Sequence, residues 1–92
     1  MDYKELKKKC LVWADMVYVN NRPGALLAVA DFFRMPALSS RLRDIDRRQD
    51  KIGYCRCDVF VDRTKVEKEM FGEIRRLYGD DIYNMVKGCF KY

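Results

Sequence analysis

The amino-acid sequence predicts an α+β fold in which four strands form one antiparallel sheet with two helices on one face. Two stretches rich in β-forming residues, Cys10 to Val19 and Ile52 to Val61, indicate strands. Two stretches with apolar residues at helical spacing, Gly24 to Met35 and Thr64 to Tyr78, indicate helices. A further strand between the first helix and Ile52, and a last strand at the C-terminus, make the order βαββαβ, which favours a split βαβ arrangement.

The length of 92 residues fits one domain, which we divide into a polar lead-in of residues 1–8 and a folded domain of residues 9–92. The hydrophobic content of 49% and the aromatic content of 13% are ample for a core. The net charge of +5 is concentrated in basic stretches that we interpret as solvated surface: Lys7–Lys9, Arg41–Arg43 and Arg47–Arg48. A chain this short has a thin margin of stability, which favours oligomerisation.

Histidine is absent, and no two of the four cysteines form a Cys-x-x-Cys pair. The commonest general base and the commonest zinc-ligand spacing are therefore missing, and no cofactor or metal is predicted. Cys10, Cys55, Cys57 and Cys89 are interpreted as reduced core thiols of a cytoplasmic protein. The apolar stretches are short and interrupted by charge, so neither a signal peptide nor a membrane span is expected.

The first predicted strand, Cys10 to Val19, is rich in aliphatic and β-branched residues. In an extended chain, one side of it carries most of its large apolar residues: Leu11, Trp13, Val17 and Val19. A helix from Tyr3 to Tyr18 is the alternative, because another set of residues lies at helical spacing: Leu6, Cys10, Trp13 and Val17. We prefer the strand because of its content of β-forming residues.

The joint after this strand, Asn20 to Leu26, is the first candidate binding site. Pro23 suits the first turn of the following helix, and Gly24 permits a close approach of the backbone to a ligand. The free N–H groups of that first turn can bind a carboxylate or another anion. The helix is predicted from Gly24 to Met35, and Pro36 ends it. Its predicted buried stripe is Leu26, Val29, Ala30 and Phe33.

The stretch from Ala37 to Gln49 is ambiguous from its residues alone. Leu38, Leu42 and Ile45 have the spacing of a helix face, yet a strand with a bulge fits the same residues. A polar turn, Gln49 to Lys51, is expected to follow and to lead into the next strand.

The C-terminal third is predicted to be a helix and then a strand. Thr64 and Glu67 have the spacing of a capping box, so the helix is expected to begin at Thr64 and to run to Tyr78. Gly79 is the expected helix stop, and Ile82 to Phe90 is interpreted as the last strand. The predicted buried stripe of the helix is Val66, Met70, Ile74 and Leu77.

Four segments of the chain carry a resemblance to a known family. Asn21 to Leu26 contains a Gly-Ala-Leu motif at the first strand–helix joint, and Ile45 to Gln49 occupies the place of a second motif. Tyr54 to Asp62 is similar to the third strand of the family, and Val86 to Phe90 to its end. The sequence thus resembles the ACT domain, closest to that of prephenate dehydratases and of fused chorismate mutase–prephenate dehydratases. The similarity covers residues 9–91.

This resemblance implies a ferredoxin-like βαββαβ fold and a regulatory module, not an enzyme, that binds phenylalanine or a related aromatic amino acid. It implies a homodimer in which the first loop of one chain faces the second strand of the other. It also implies an enzyme of aromatic amino-acid biosynthesis as a partner under allosteric control. Asp46 would take the ammonium group of the ligand, whereas Arg47 and Arg48 would contact its carboxylate or face water. The ligand-binding residues expected in this way are Asn20, Asn21, Pro23, Gly24, Ala25, Leu26, Ile45, Asp46, Arg47 and Arg48.

Two other functions stay open from the sequence. One is a winged-helix DNA-binding protein, with Leu27 to Met35 as its second helix, residues 37–48 as its recognition helix and Ile52 to Val61 as its wing. The other is a ligand-free structural dimerisation module with the same fold as the ACT domain. In the preferred interpretation, neither nucleic acid nor a membrane is a partner.

Overall fold

A computed structural model describes the backbone of residues 2–52 and 57–91, and their side chains except at 50–52, 57, 58 and 60. Within this part of the chain there are five helices and no strand: α1 (Tyr3–Tyr18), α2 (Arg22–Phe32), α3 (Pro36–Ile52), α4 (Cys57–Tyr78) and α5 (Asp80–Gly88). The predicted α+β fold with a four-stranded sheet is therefore wrong. The ferredoxin-like and ACT interpretations conflict with the same finding, because both need that sheet.

Helix α1 occupies the stretch that was expected to be the first strand, Cys10 to Val19, and begins before it at Tyr3. Asp2 caps the helix, because its carboxylate accepts a 2.9 Å hydrogen bond from the backbone N–H two residues on. Leu6, Trp13 and Val17 are buried on one face. The helical spacing of these residues therefore decides the structure, and the β propensity of their neighbours does not.

The helix predicted from Gly24 to Met35 is confirmed in α2, although it begins at Arg22 and ends at Phe32. The side-chain oxygen of Asn21 caps it by accepting a 3.2 Å hydrogen bond from the N–H of Gly24. The predicted apolar stripe is buried as expected: Leu26, Val29, Ala30 and Phe33.

Helix α3 runs without a break from Pro36 to Ile52, so the strand interpretation of Ala37 to Gln49 and the polar turn at residues 49–51 are both wrong. Pro36 does not directly end a helix. It follows the turn after α2 and is the first residue of α3, where its missing N–H removes no hydrogen bond. Leu42 and Ile45 are buried. The helical spacing of these residues was the correct signal.

Helix α4 includes residues 57–61 of the predicted strand Ile52 to Val61, so that prediction is wrong there, and residues 53–56 lie outside the described residues. Thr64 lies well inside α4 and is not its N-cap, so the predicted capping box is also wrong. The helix end at Tyr78 is confirmed. Three residues of the predicted stripe are buried, namely Val66, Met70 and Ile74, whereas Leu77 is exposed.

Helix α5 replaces the predicted last strand, Ile82 to Phe90, which is wrong. Ile82, Val86 and Phe90 are buried at intervals of four residues, as expected for one face of a helix. Gly79 separates α4 from α5 with a φ of +91°, so the predicted helix stop is confirmed.

The helices pack as neighbours in chain order, and α5 returns to contact α1. Trp13 of α1 lies at the α1–α2 contact, with its ring centroid 5.4 Å from that of Phe32 and 6.3 Å from that of Phe33. This arrangement buries one face of α3 against α2 and α4 and leaves its other face exposed. No helix in the described part of the chain is both long and apolar enough to cross a membrane.

Candidate nucleic-acid interface

The first half of the predicted ligand site is the joint between α1 and α2. Asn20 adopts a positive φ of +69° in the turn, and Ala25 and Leu26 are fully buried in the core. A Cβ atom on Gly24 would lie 2.7 Å from Nδ2 and 2.8 Å from Oδ1 of Asn21. Gly24 therefore makes room for the capping side chain of Asn21, a role that needs no ligand. Pro23 lies in the first turn of α2, as predicted.

The second half of the predicted site lies on α3, not on a strand. Ile45 is buried in the core, and Asp46 accepts a 3.0 Å hydrogen bond from Arg63 of α4. Arg48 bonds Asp62 at 2.9 Å, whereas Arg47 is largely exposed. Among the described residues, no hydrogen bond or ion pair joins the polar side chains of this half to those at the α1–α2 joint. The strand that the expected pocket needs for its second half is a helix instead.

Helices α2 and α3 form a compact helix–turn–helix unit. Only Phe33, Arg34 and Met35 connect them, and Arg34 takes a left-handed conformation with φ of +56°. The N–H of Met35 donates a 2.9 Å hydrogen bond to the carbonyl of Ala30, which satisfies a carbonyl at the end of α2. Phe33 and Met35 are buried. The turn therefore fixes the direction in which α3 leaves α2.

Asp31 joins the two helices across this turn. Its carboxylate accepts a 2.7 Å hydrogen bond from the hydroxyl of Ser39 and a 3.2 Å hydrogen bond from the guanidinium of Arg43. Ser39 is buried, so the first of these bonds holds the rotation of α3 about its own axis. Asp31 and Ser39 are not predicted from the sequence, because they meet only once both helices and the turn are in place.

The exposed face of α3 begins with small side chains and continues with charged ones. Ala37, Ser40, Asp44 and Arg47 are exposed at successive helical spacings, on the side away from the buried Leu42. Because the first two side chains are short, the N-terminal half of this face can come close to another surface.

Arginines surround this face. Between Arg34 and Arg48 the chain carries five arginines and only two aspartates. Four of the arginines have acidic partners: Arg41 with Glu69, Arg43 with Asp31, Arg47 with Asp44, and Arg48 with Asp62. The side chains of these four arginines are between 41% and 76% exposed, so the pairs are weak and open to exchange with other anions. Residues 34–48 alone carry an excess of three positive charges, whereas their ion-pair partners on α2 and α4 are acidic.

A groove of about 650 Å³ between α4 and α5 is the main alternative site, with Phe71, Tyr83 and Phe90 among its lining residues. Three of its five lining cations are held by contacts within the protein. Arg22 donates a 3.0 Å hydrogen bond to the carbonyl of Phe90 and also pairs with Glu67. Arg75 bonds Asp80 at 2.6 Å, and Nζ of Lys87 lies 3.1 Å from the hydroxyl of Tyr83. The Arg75–Asp80 bond joins α4 to α5, and Arg22 joins α2 to α4 and to Phe90 after α5, so these contacts have a structural role.

No group of three or more metal-binding side chains comes together in the part of the chain that the structure describes. Comparisons with models of protein families, with curated proteins and with solved structures gave no match to this chain.

Proposed function

We propose that this protein binds double-stranded DNA, with α3 in the major groove. The observation that carries the proposal is the α2–turn–α3 unit, whose second helix exposes short side chains at its N-terminal end and arginines around them. Helix–turn–helix proteins place the N-terminal residues of their second helix against base edges in the same way. Residues 37–48, the recognition helix of the sequence alternative, lie entirely within α3.

The proposal does not include a wing, because residues 57–61 of the expected wing are helical. It also does not include the regulatory amino-acid-binding function or the biosynthetic partner enzyme. Both depended on a pocket between the first loop of one chain and the second strand of its partner, and the described residues contain no strand.

The exposed residues of α3 divide into two roles. Ala37 and Ser40 lie where base edges would be read, and the hydroxyl of Ser40 is suited to either a donor or an acceptor on a base. Arg43 and Arg47 lie further along, where the phosphate backbone passes on each side of the groove. Arg34, exposed in the turn, supplies a further phosphate contact.

Phosphate binding by these arginines requires that their acidic partners be displaced. Exposed ion pairs contribute up to about 1 kcal/mol each to stability, so their exchange for phosphate contacts costs little free energy. Displacement of condensed cations from the DNA then favours binding at low salt, and the affinity falls steeply as the salt concentration rises. The net charge of +5 also favours association with a polyanion.

The test is fluorescence anisotropy with a labelled duplex of about 30 bp, long enough for two half-sites about 10 bp apart. We expect binding by the native protein and at least about tenfold weaker binding by the double variant Arg43→Ala, Arg47→Ala, with a salt slope smaller by about 2. The matched control is Lys9→Ala, Lys91→Ala, which removes two exposed charges from α1 and the C-terminus and should bind almost normally.

Two results would overturn the proposal. One is the absence of duplex binding at low salt, and the other is equal loss of binding in the arginine variant and in its control. Circular dichroism on each variant separates loss of binding from loss of helix.

A further inference from the structure

The outer face of α1 carries exposed apolar side chains among charged ones. Leu11 is 74% exposed, Val12 54%, Tyr18 75% and Val19 63%, although all four side chains are large and apolar or aromatic. Leu6, Trp13 and Val17 bury the opposite face against the rest of the protein. Leu11 and Val12 form one group and Tyr18 and Val19 a second group about two turns further along, and exposed apolar groups of this kind favour an interaction site.

The residues of this face follow a regular spacing. Lys4, Lys8, Leu11, Asp15 and Tyr18 are separated alternately by four and three residues, so they form one stripe along α1. Val12 and Val19 widen the stripe on one side. Alternation of four and three residues is the spacing with which two helices pack along their length.

Opposite charges lie on either side of Leu11 in the stripe, three residues before it and four residues after it. Lys8 and Asp15 lie seven residues apart, or about 10.5 Å along the helix, with Leu11 between them. If two copies of α1 lie antiparallel with Leu11 opposite Leu11, each Lys8 lies within about 1.5 Å along the helix axis of the level of Asp15 in the other copy, close enough for an ion pair. A parallel pair would instead place lysine against lysine and aspartate against aspartate. The pattern is therefore complementary to itself in one orientation only.

We infer that α1 is a homodimer interface, in which a second copy of this chain packs antiparallel about a two-fold axis at Leu11. The two-fold axis places the two Leu11 side chains against each other and leaves a Lys8–Asp15 pair on each side of them. At the ends of the contact, Lys4 of one copy meets the Tyr18 ring of the other, which suits a cation–π interaction. The interface forms without DNA and does not rest on the proposed function.

The first test is sedimentation velocity of the full chain without DNA, over a range of protein concentrations. We expect a monomer–dimer equilibrium in the native protein. Leu11→Glu places two carboxylates at the axis and is expected to give a monomer at every concentration. The control is Leu77→Glu, which changes an exposed leucine on α4 and should leave the dimer unchanged. A native monomer throughout, or a dimer that Leu11→Glu leaves intact, would overturn the inference.

The second test fixes the orientation. Asp15→Lys removes the acidic partner of Lys8 and sets two ammonium groups against each other in an antiparallel pair, so we expect the dissociation constant to rise at least about tenfold. The double variant Lys8→Asp, Asp15→Lys exchanges the charges and should restore the native value. A parallel pair would show no such restoration, and that result would reject the antiparallel arrangement.

Discussion

The hydroxyl of Ser39 donates a 2.7 Å hydrogen bond to the carboxylate of Asp31 and so joins the two helices of the proposed DNA-binding unit. Ser39→Ala removes this bond and is expected to lower the free energy of unfolding by about 1 kcal/mol. Asp31→Ala should cost more, because it leaves the buried hydroxyl of Ser39 without this partner and also releases Arg43. Urea unfolding followed by the emission of the single tryptophan, Trp13, measures both.

Ser40→Ala is the control for that measurement, since Ser40 is exposed on the outer face of α3 whereas Ser39 is buried. It should leave stability within about 0.5 kcal/mol of the native value. If Ser39→Ala and Ser40→Ala are equally stable, Ser39 does not fix α3 to α2.

Gly24 is expected to tolerate no side chain while Asn21 caps α2. The added Cβ of Gly24→Ala would lie 2.7 Å from Nδ2 of Asn21, so the capping side chain must move away and the cap is lost. We expect a loss of about 1 kcal/mol in thermal or urea unfolding. In an Asn21→Gly background, the same change should be neutral or stabilising, because alanine favours the helix. An equal loss in both backgrounds would contradict this explanation.

Arg63 is buried on α4 and is held by Asp46 at 3.0 Å and by Gln49 at 2.8 Å. Among the described residues, its Nε has no hydrogen-bond partner. Asp46→Ala would leave the guanidinium without its charge partner, and we expect a loss of about 3 kcal/mol. Arg63→Met removes the buried charge and keeps an apolar side chain of similar length, so it should cost less. The prediction fails if urea unfolding ranks Arg63→Met as the less stable variant.

Cys89 is buried beside Cys10, and its thiol lies 3.4 Å from the carbonyl of Met85. Burial, and to a smaller extent the proximity of Cys10, raises the pKa of Cys89 to about 12. In the unfolded chain the pKa of a cysteine thiol is about 8.5. Between these values the unfolded chain loses a proton that the folded protein keeps, so this thiol makes folding less favourable as the pH rises.

We therefore expect Cys89→Ala to reduce the fall in stability between about pH 8.5 and about pH 11, relative to the native protein. Below that range the two proteins should differ by a constant amount. Parallel stability curves for variant and native protein across the range would contradict the prediction. Chemical unfolding at each pH provides the curves.

Parts of the fold were predictable because apolar residues recur at helical spacing in segments that contain few β-forming residues. Helix α2 shows this with Leu26 and Val29, and the C-terminal part of α4 shows it with Met70 and Ile74. In α1 and α5 the same spacing was present, but valine, tyrosine and isoleucine around it also suited strands. Strand propensity depends strongly on context, and the helical packing of residues such as Trp13 overrode it.

The candidate site was predictable in outline only. The arginines and short side chains of residues 37–48 are visible in the sequence, and they already supported a recognition helix as an alternative. The partners of these arginines were not visible, because Glu69 and Asp62 come from a helix distant along the chain. Gly24 suggested a ligand, whereas its structural reason is the side chain of Asn21 three residues before it.

The return of α5 to α1 has a kinetic consequence. The other main helix contacts join neighbours in the chain and can form early, whereas Cys10 and Met85 are 75 residues apart, and Arg22 and Phe90 are 68 apart. Contacts between distant segments close large loops, so they are expected to form after the transition state for folding. Loss of Arg22 should therefore accelerate unfolding and leave the folding rate nearly unchanged, a pattern that stopped-flow measurements on Arg22→Ala can resolve. The contacts of Cys10 with Met85 and of Arg22 with Phe90 are therefore expected to govern the unfolding rate, and so the lifetime of the folded protein, more than the folding rate.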